Sequence, residues 1–240
     1  MQSKLLSLVL VCLLGTTTSE VLAQRLNLGA DIVSRYVWRG TDYGESLSIQ
    51  PSLSFASGGF EIGSWASYAT TPAGASVNEH DLWVGYSLGV GRSTVSFGVT
   101  DYYFPTPPDS ESGTPAVAFF NFDDGGNGAH WIEPYVSVTV SESFPLTVYG
   151  SIMAYNDPDN SAYVEASYPY QLDGADLSLT AGFVPGRSAV YGTDGFALTN
   201  LGLTASRAVG VTELLSIPVF VSYVLNPYAE RSFLVFGVSL

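Results

Sequence analysis

The chain has 240 residues and a formal net charge of −14; 46% of it is hydrophobic and only 12% charged. A soluble domain carries about 25% charged residues, so this balance excludes an ordinary water-soluble globule, and the apolar share excludes a disordered chain. The acidic excess repels phosphate and excludes nucleic acid as a partner, and no unbroken apolar run of ~18 residues offers a transmembrane helix.

Residues 1–23 read as a secretory signal. Lys4 supplies the positive start, Leu5 to Leu14 the short apolar stretch, and Val21-Leu22-Ala23 the small-residue cleavage site, so the mature chain is expected to begin at Gln24. Cys12 lies inside the apolar stretch, not at its end, which argues against lipidation. It is the only cysteine, so the mature chain has no disulfide and no thiol ligand. Lys4 and Glu20 leave together, the charge stays at −14, and every remaining basic residue is arginine.

From Leu26 onward the chain alternates with period 2, the mark of strands with one apolar face. In the first strand Leu26, Leu28, Ala30, Ile32, Tyr36 and Trp38 share one face, and Asn27, Gly29, Asp31, Arg35 and Arg39 the other. The second sets Leu47, Ile49, Leu53 and Phe55 against Ser48, Gln50, Ser52 and Ser54. The third sets Phe60, Ile62, Ala66 and Tyr68 against Glu61, Gly63, Trp65 and Ser67. The fourth sets Leu82, Val84, Tyr86 and Leu88 against Asp81, Trp83, Gly85 and Ser87. Further strands are predicted at 93–104, 131–140, 145–155, 162–170, 176–184, 197–206, 216–225 and 232–240, twelve in all. Most have the ~9–11 residues that a tilted strand needs to cross a bilayer.

Connections after odd strands are long (40–46, 71–80, 105–130, 156–161, 185–196, 226–231). Those after even strands are mostly tight, 207–215 excepted. The pattern predicts an all-β fold, a transmembrane antiparallel up-and-down β-barrel of about 12 strands, with short periplasmic turns and longer extracellular loops. Residues 24–240 form its single domain. In the longest loop, 105–130, the apolar piece Ala116 to Phe120 is a candidate inward plug. Asp101 shares the parity of Val95, Phe97 and Val99, so a lipid-facing charge must sit at the rim or turn inward on a bulge.

A soluble β-sandwich alternates as well. The polar face here is Ser, Thr, Gly, Asn and Trp with few charges, which suits a lumen. Tyr36, Trp38, Tyr68, Tyr102, Tyr103, Tyr168 and Tyr170 gather near strand ends like an interfacial girdle. The chain stops on a strand with Leu234, Phe236, Val238 and Leu240 on one face, the feature that barrel-assembly machinery commonly reads. The expected place is the bacterial outer membrane, among its lipid and lipopolysaccharide.

Several stretches together resemble the TorF-type porin family of small bacterial outer-membrane barrels. They are Ser34-Arg35-Tyr36-Val37-Trp38-Arg39-Gly40, Gly58-Gly59-Phe60-Glu61-Ile62-Gly63-Ser64-Trp65, Glu79-His80-Asp81-Leu82-Trp83-Val84-Gly85-Tyr86-Ser87, Tyr102-Tyr103-Phe104-Pro105, Trp131-Ile132-Glu133-Pro134-Tyr135 and Tyr163-Val164-Glu165. The resemblance covers most of the mature chain. It implies a porin-like barrel and brings no catalytic residue with it.

The functional expectation is a passive channel for small solutes or ions. Arg35 and Arg39 sit high on one wall, with Asp31 below them. Asp81, Glu133 and Glu165 lie high elsewhere, the last two opposite the arginines. Such an arrangement makes a charged constriction of the kind that sets ion selectivity, and the net acid excess favours cations. Glu61, Trp65, Trp83 and Tyr135 also have inward parity. The competing reading is that these charges pair, since buried charges need partners, and that with Trp65, Trp83, Trp131 and Tyr135 they fill the barrel. Stacking of sugar rings on the inward aromatics is a lesser option.

Asp42, Glu45, Asp109, Glu111, Asp123, Asp124, Asp157, Asp159 and Glu230 make the outer loops acidic. They lack the twelve-residue calcium-loop pattern and read as solvated, bridged by divalent ions to lipopolysaccharide. No cofactor or metal is expected. The only histidines, His80 and His130, stand in no nucleophile motif and are too few for a zinc site. The chain is therefore not read as an enzyme, although the acidic neighbours Glu79 and Asp81 of His80 are the one cluster a protease could use. A third class is a structural barrel that presents loop 105–130 to an external partner.

Overall fold

A computed structural model describes residues 24–71, 78–105, 118–126, 128–213 and 215–240. The signal segment, the first part of the Ala116 to Phe120 piece, Asp109 and Glu111 lie outside them. The strands are β1 (Arg25–Val33), β2 (Tyr36–Trp38), β3 (Thr41–Gly44), β4 (Ser48–Ser57), β5 (Phe60–Ala69), β6 (Glu79–Val90), β7 (Ser93–Tyr103), β8 (His130–Thr139), β9 (Thr147–Ile152), β10 (Ala162–Leu172), β11 (Ala175–Val184), β12 (Arg187–Ser188), β13 (Thr193–Asp194), β14 (Ala197–Gly210), β15 (Ser216–Asn226) and β16 (Arg231–Ser239). Twelve of them form one closed antiparallel barrel, ordered β1-β16-β15-β14-β11-β10-β9-β8-β7-β6-β5-β4. The other four make two hairpins, β2–β3 and β12–β13, at the long-loop end.

Closure is made by the last strand. Asp31, Ile32 and Val33 pair with Ser239, Val238 and Gly237. The amide of Leu240 donates to the carbonyl of Ala30 at 2.9 Å, and that of Ser34 to Phe236 at 2.9 Å. The barrel sheet is thus closed on itself, as a hydrocarbon surround requires.

The period-2 reading assigns the wall faces. Leu28 is 82% exposed on the outer face, and Leu234 and Phe236 are each 62% exposed. Leu53, Ile62, Leu82, Phe97, Val136, Leu179, Leu203 and Val221 are exposed with them, from strands all round the barrel. Fully burying such a side chain is worth about 1.5–3 kcal/mol in water, and contiguous patches of more than a few hundred Å² are rare on monomeric soluble proteins. A continuous apolar belt suits lipid.

Two features depart from the expected wall. The first strand ends at Val33 instead of running on to Arg39, because the chain turns into the barrel mouth as β2–β3. Tyr36 and Trp38, expected outside, are therefore inside, and so is Tyr102; Tyr68, Tyr103, Tyr168 and Tyr170 keep the outward parity expected of a girdle. The lumen wall is also not uniformly polar. Val33, Phe233 and Val235 form a buried cluster with Val37, Phe220 and Val224 packed against it, so one side of the interior is a small apolar core on which the hairpin rests.

Candidate functional site

The hairpin owes its shape to two residues. Arg39 (φ 48°) and Gly40 (φ 82°) both take left-handed backbone and close a two-residue turn between Trp38 and Thr41, the geometry that suits the strand twist. Gly40 has no alternative, because a Cβ there would overlap the backbone carbonyl of Thr199. Thr199 is the extra residue of a bulge, for Gly182 pairs with Asn200 and Phe183 with Leu198. The Asn226 amide donates to the Gly40 carbonyl at 3.1 Å. At the hairpin base Arg35 pairs with Asp42 at 2.9 Å and lies over the Phe233 ring. The tip is thus seated on β14 and β15 and the base on β16.

From that seat Arg39 reaches the far wall. Its guanidinium donates to Glu133 through Nη1 at 2.6 Å and Nη2 at 2.9 Å, to the Tyr191 hydroxyl at 2.5 Å and to the Tyr149 hydroxyl at 3.1 Å. It also lies over the rings of Trp38 and Tyr163, 4.4 Å from each centroid. Glu133, 1% exposed, receives further hydrogen bonds from Tyr102 (2.7 Å), Ser151 (2.7 Å) and Tyr149 (3.2 Å). A buried ion pair repays its desolvation only with good geometry and with its remaining lone pairs satisfied; here both conditions hold.

The second hairpin completes the layer. The Tyr191 ring stacks between Trp38 and Tyr163, each centroid 5.5 Å away. Ser188 holds Tyr191 through its amide at 3.0 Å and pairs with the Ser161 hydroxyl at 2.6 Å. Arg187 bridges to Asp159 at 3.1 Å. Burial pushes the phenols of Tyr43 and Tyr191 above the ordinary tyrosine range, so both stay neutral.

The remaining residues singled out from sequence spread over several levels. Glu61 accepts from the Trp83 indole at 3.2 Å, and that indole lies against Gly63, where a Cβ would overlap it. Tyr135 stacks on Tyr149 and covers Gly85 and Gly98. Trp65 packs against Tyr36. Asp31 is half-buried on β1 between Gln50 and Ser239. Glu165 accepts from Tyr163 at 2.6 Å and Asn200 at 3.1 Å and lines a cavity of about 190 Å³ shared with Arg39, Thr180 and Thr204. Arg35 does not join Arg39 in facing the acids, since Asp42 holds it at the hairpin base.

Tyr149, Tyr191 and Ser151 escaped the sequence reading, and Tyr163 entered it only through the family resemblance. Three carry inward parity next to a chosen acid, and Tyr191 lies in a loop that no periodicity marks. Glu79, the start of β6, is legible in the sequence as part of a family-like stretch and as an acidic neighbour of His80, not as a lumen residue. It is 2% exposed and accepts a hydrogen bond from Tyr36 at 3.0 Å.

The histidines lie on the outward side. His130 Nδ1 pairs with Asp101 at 2.9 Å and Nε2 lies 2.5 Å from the Phe119 carbonyl, with Phe122 and Tyr103 stacked on its ring. Asp101 therefore faces outward at the rim with a partner. The described part of the long loop, 118–126, covers this pair from outside, with Phe120 85% exposed; Phe119 and Phe120 do not plug the lumen, where the two hairpins sit instead. Asn156 ties the loop down, accepting from Gly126 at 2.6 Å and Gly128 at 3.2 Å. Asp157 caps the backbone amides of Asp159 and Ser161. Among the described residues no group of three or more His, Cys, Asp or Glu is placed to hold a metal, and no serine hydroxyl hydrogen-bonds either histidine.

Fold and site together define a transmembrane-type β-barrel whose mouth is filled by its own hairpins. Residues 22–219 match the family described as bacterial proteins of unknown function, Gcw_chp, and the chain belongs to that family. Among curated proteins none matches the sequence. Among solved structures the chain is similar to OccK1 (OpdK) of Pseudomonas aeruginosa, at 12% identity and a TM-score of 0.41, over 92% of this chain and 66% of that one. The chain thus spans about two thirds of the length of that protein.

Proposed function

We propose that the protein is an outer-membrane channel of porin type that passes small solutes or ions sparingly, with its resistance concentrated where Arg39 meets Glu133. The observation that carries the reading is the hairpin β2–β3, seated on β14 and β15 and bonded across the lumen to β8, inside a closed barrel with an apolar outer belt. The resemblance of the ordered motif set to TorF-type porins points the same way.

The same geometry supports a cation bias. Arg39 and Arg35 are neutralised by Glu133 and Asp42. Among the described residues no arginine comes within ion-pair distance of Glu61, Glu79, Asp81 or Glu165. Glu61 and Glu165, with the one charge shared by the hydrogen-bonded Glu79 and Asp81, favour a negative lumen, and charge rings of one sign select the opposite ion. The expected surroundings are outer-membrane lipid and lipopolysaccharide, reached through an amino-terminal export signal and barrel-assembly machinery.

Purified, refolded protein in a planar bilayer under a salt gradient tests this. Small discrete steps with a cation-selective reversal potential support it. Anion selectivity, or wide and unselective steps, would sink it. The second reading, a sealed barrel that displays its outer loops, is favoured by the depth of the Arg39–Glu133 pair and by exposed Phe120; it predicts a folded, heat-modifiable barrel that never conducts.

A further inference from the structure

We infer that the long-loop end of the barrel holds a binding pocket for a small organic cation, an alkylammonium group seated among aromatic rings against the carboxylate of Glu79. A cavity of about 320 Å³ lies there, lined by Trp38, Tyr43, Tyr102, Phe104 and Trp131, with Glu79 the one charged residue among the described lining. Trp38 meets Tyr43 and Tyr102 edge-on, with centroids 5.8 Å apart in each case, so the cage is braced before any ligand arrives.

Glu79 is what makes the cage more than an apolar hole. Glu79 is 2% exposed and its carboxylate accepts from Tyr36, yet no arginine lies within ion-pair distance of it among the described residues. Two residues along the same face of β6, Asp81 hydrogen-bonds Glu79, which places one proton between the two carboxyls, and keeps its buried Oδ1 without a partner. Arg39 makes no ion pair with either acid: its Nη1 and Nη2 are directed at Glu133, Tyr149 and Tyr191. The Glu79–Asp81 pair keeps one buried negative charge with no ion-pair partner among the described residues, buried charges are ordinarily paired, and aromatic faces attract weakly hydrated cations. An alkylammonium ion supplies both: its charge faces Glu79 and its methyl groups face the rings. Among the described lining residues a metal ion would find one carboxylate and otherwise only phenol oxygens and a thioether.

The inference deepens the channel reading, on which it rests for the route a ligand takes, and names the solute class. The test titrates the refolded barrel in detergent with choline and with its uncharged isostere 3,3-dimethylbutan-1-ol, read by tryptophan fluorescence and calorimetry. Saturable choline binding is expected, about tenfold tighter than the alcohol and about tenfold weaker in Glu79→Gln, which keeps an acceptor for Tyr36. Equal binding of the alcohol, unchanged choline affinity in the variant, or no saturable signal overturns the proposal. Phe104→Leu, at the loop edge of the cage, gives an independent reading should Glu79→Gln not fold: several-fold weaker binding supports the site and unchanged binding refutes it. Choline binding to a barrel that never conducts keeps the site and removes the channel; a conducting barrel that ignores choline does the reverse.

Discussion

Arg39 and Glu133 meet in a two-pronged ion pair, 2.6 and 2.9 Å, although they come from opposite sides of the barrel. Glu133 belongs to β8, while Arg39 sits on a turn wedged against Thr199 of β14 and held by Asn226 of β15. One guanidinium therefore closes a bridge across the lumen, and four side-chain hydroxyls on β7, β9 and the β12–β13 hairpin brace its two ends.

Breaking one side of this pair should cost far more than replacing both. Glu133→Ala strands a buried guanidinium, a loss of about 3–5 kcal/mol, whereas Arg39→Met with Glu133→Leu should be near neutral. Denaturant unfolding of the refolded barrel checks this. Equal losses in the single and double variants would show that the pair does not act as a unit.

Tyr191 holds the second hairpin in the mouth. Each stacked pair is worth about 0.5–1.5 kcal/mol, so Tyr191→Ala should free the hairpin while Tyr191→Phe, which keeps the stack and loses the hydroxyl, should fall between. Arg187 is exposed on this hairpin. Trypsin cleavage after Arg187 should accelerate about tenfold or more in Tyr191→Ala, with the barrel itself resistant.

Glycines under the inward rings are sites of close approach. A Cβ at Gly98 would press on both the Tyr135 ring and the Val84 carbonyl, whereas one at Gly150 meets nothing within 4 Å. Gly98→Val should destabilise by about 1–3 kcal/mol through overpacking. Gly150→Val should leave the denaturation midpoint almost unchanged.

Alkaline titration tests the burial of the plug. Desolvation raises the folded-state pKa of Tyr43 and Tyr191, so unfolded chain ionises first, near pH 10. Their contribution is complete below that pH and is lost as pH rises toward the folded-state value. Tyrosinate absorbance should show these two phenols silent at about pH 11 in the folded barrel, and replacing either by Phe should not reduce the early-titrating amplitude.

Much of the wall was legible before the structure, because a side-chain period of two assigns every strand residue to lipid or lumen once one apolar position is known. The ranges from 93 onward agree with the observed strands to within a few residues. The plug was not legible for the same reason. Ser34 to Trp38 continues the alternation of β1, and a hairpin alternates like a wall, so periodicity placed Tyr36 and Trp38 outside. The warning lay in Arg39-Gly40, a turn dipeptide at the end of an apparent strand. The inward acids Glu133 and Glu165 could be named from parity. That Arg39 would cross to one of them, and leave the other to Tyr163 and Asn200, depends on where the hairpin tip is seated, which is a tertiary fact.

Single-channel conductance of Arg39→Ala beside the unaltered protein tests the central claim most directly. If the hairpin bridge sets the resistance of the lumen, the unaltered barrel gives small, cation-selective steps and the variant gives steps several-fold larger. Equal conductance in two folded barrels would mean that the Arg39–Glu133 layer does not obstruct the path, and the account of the plug would fail.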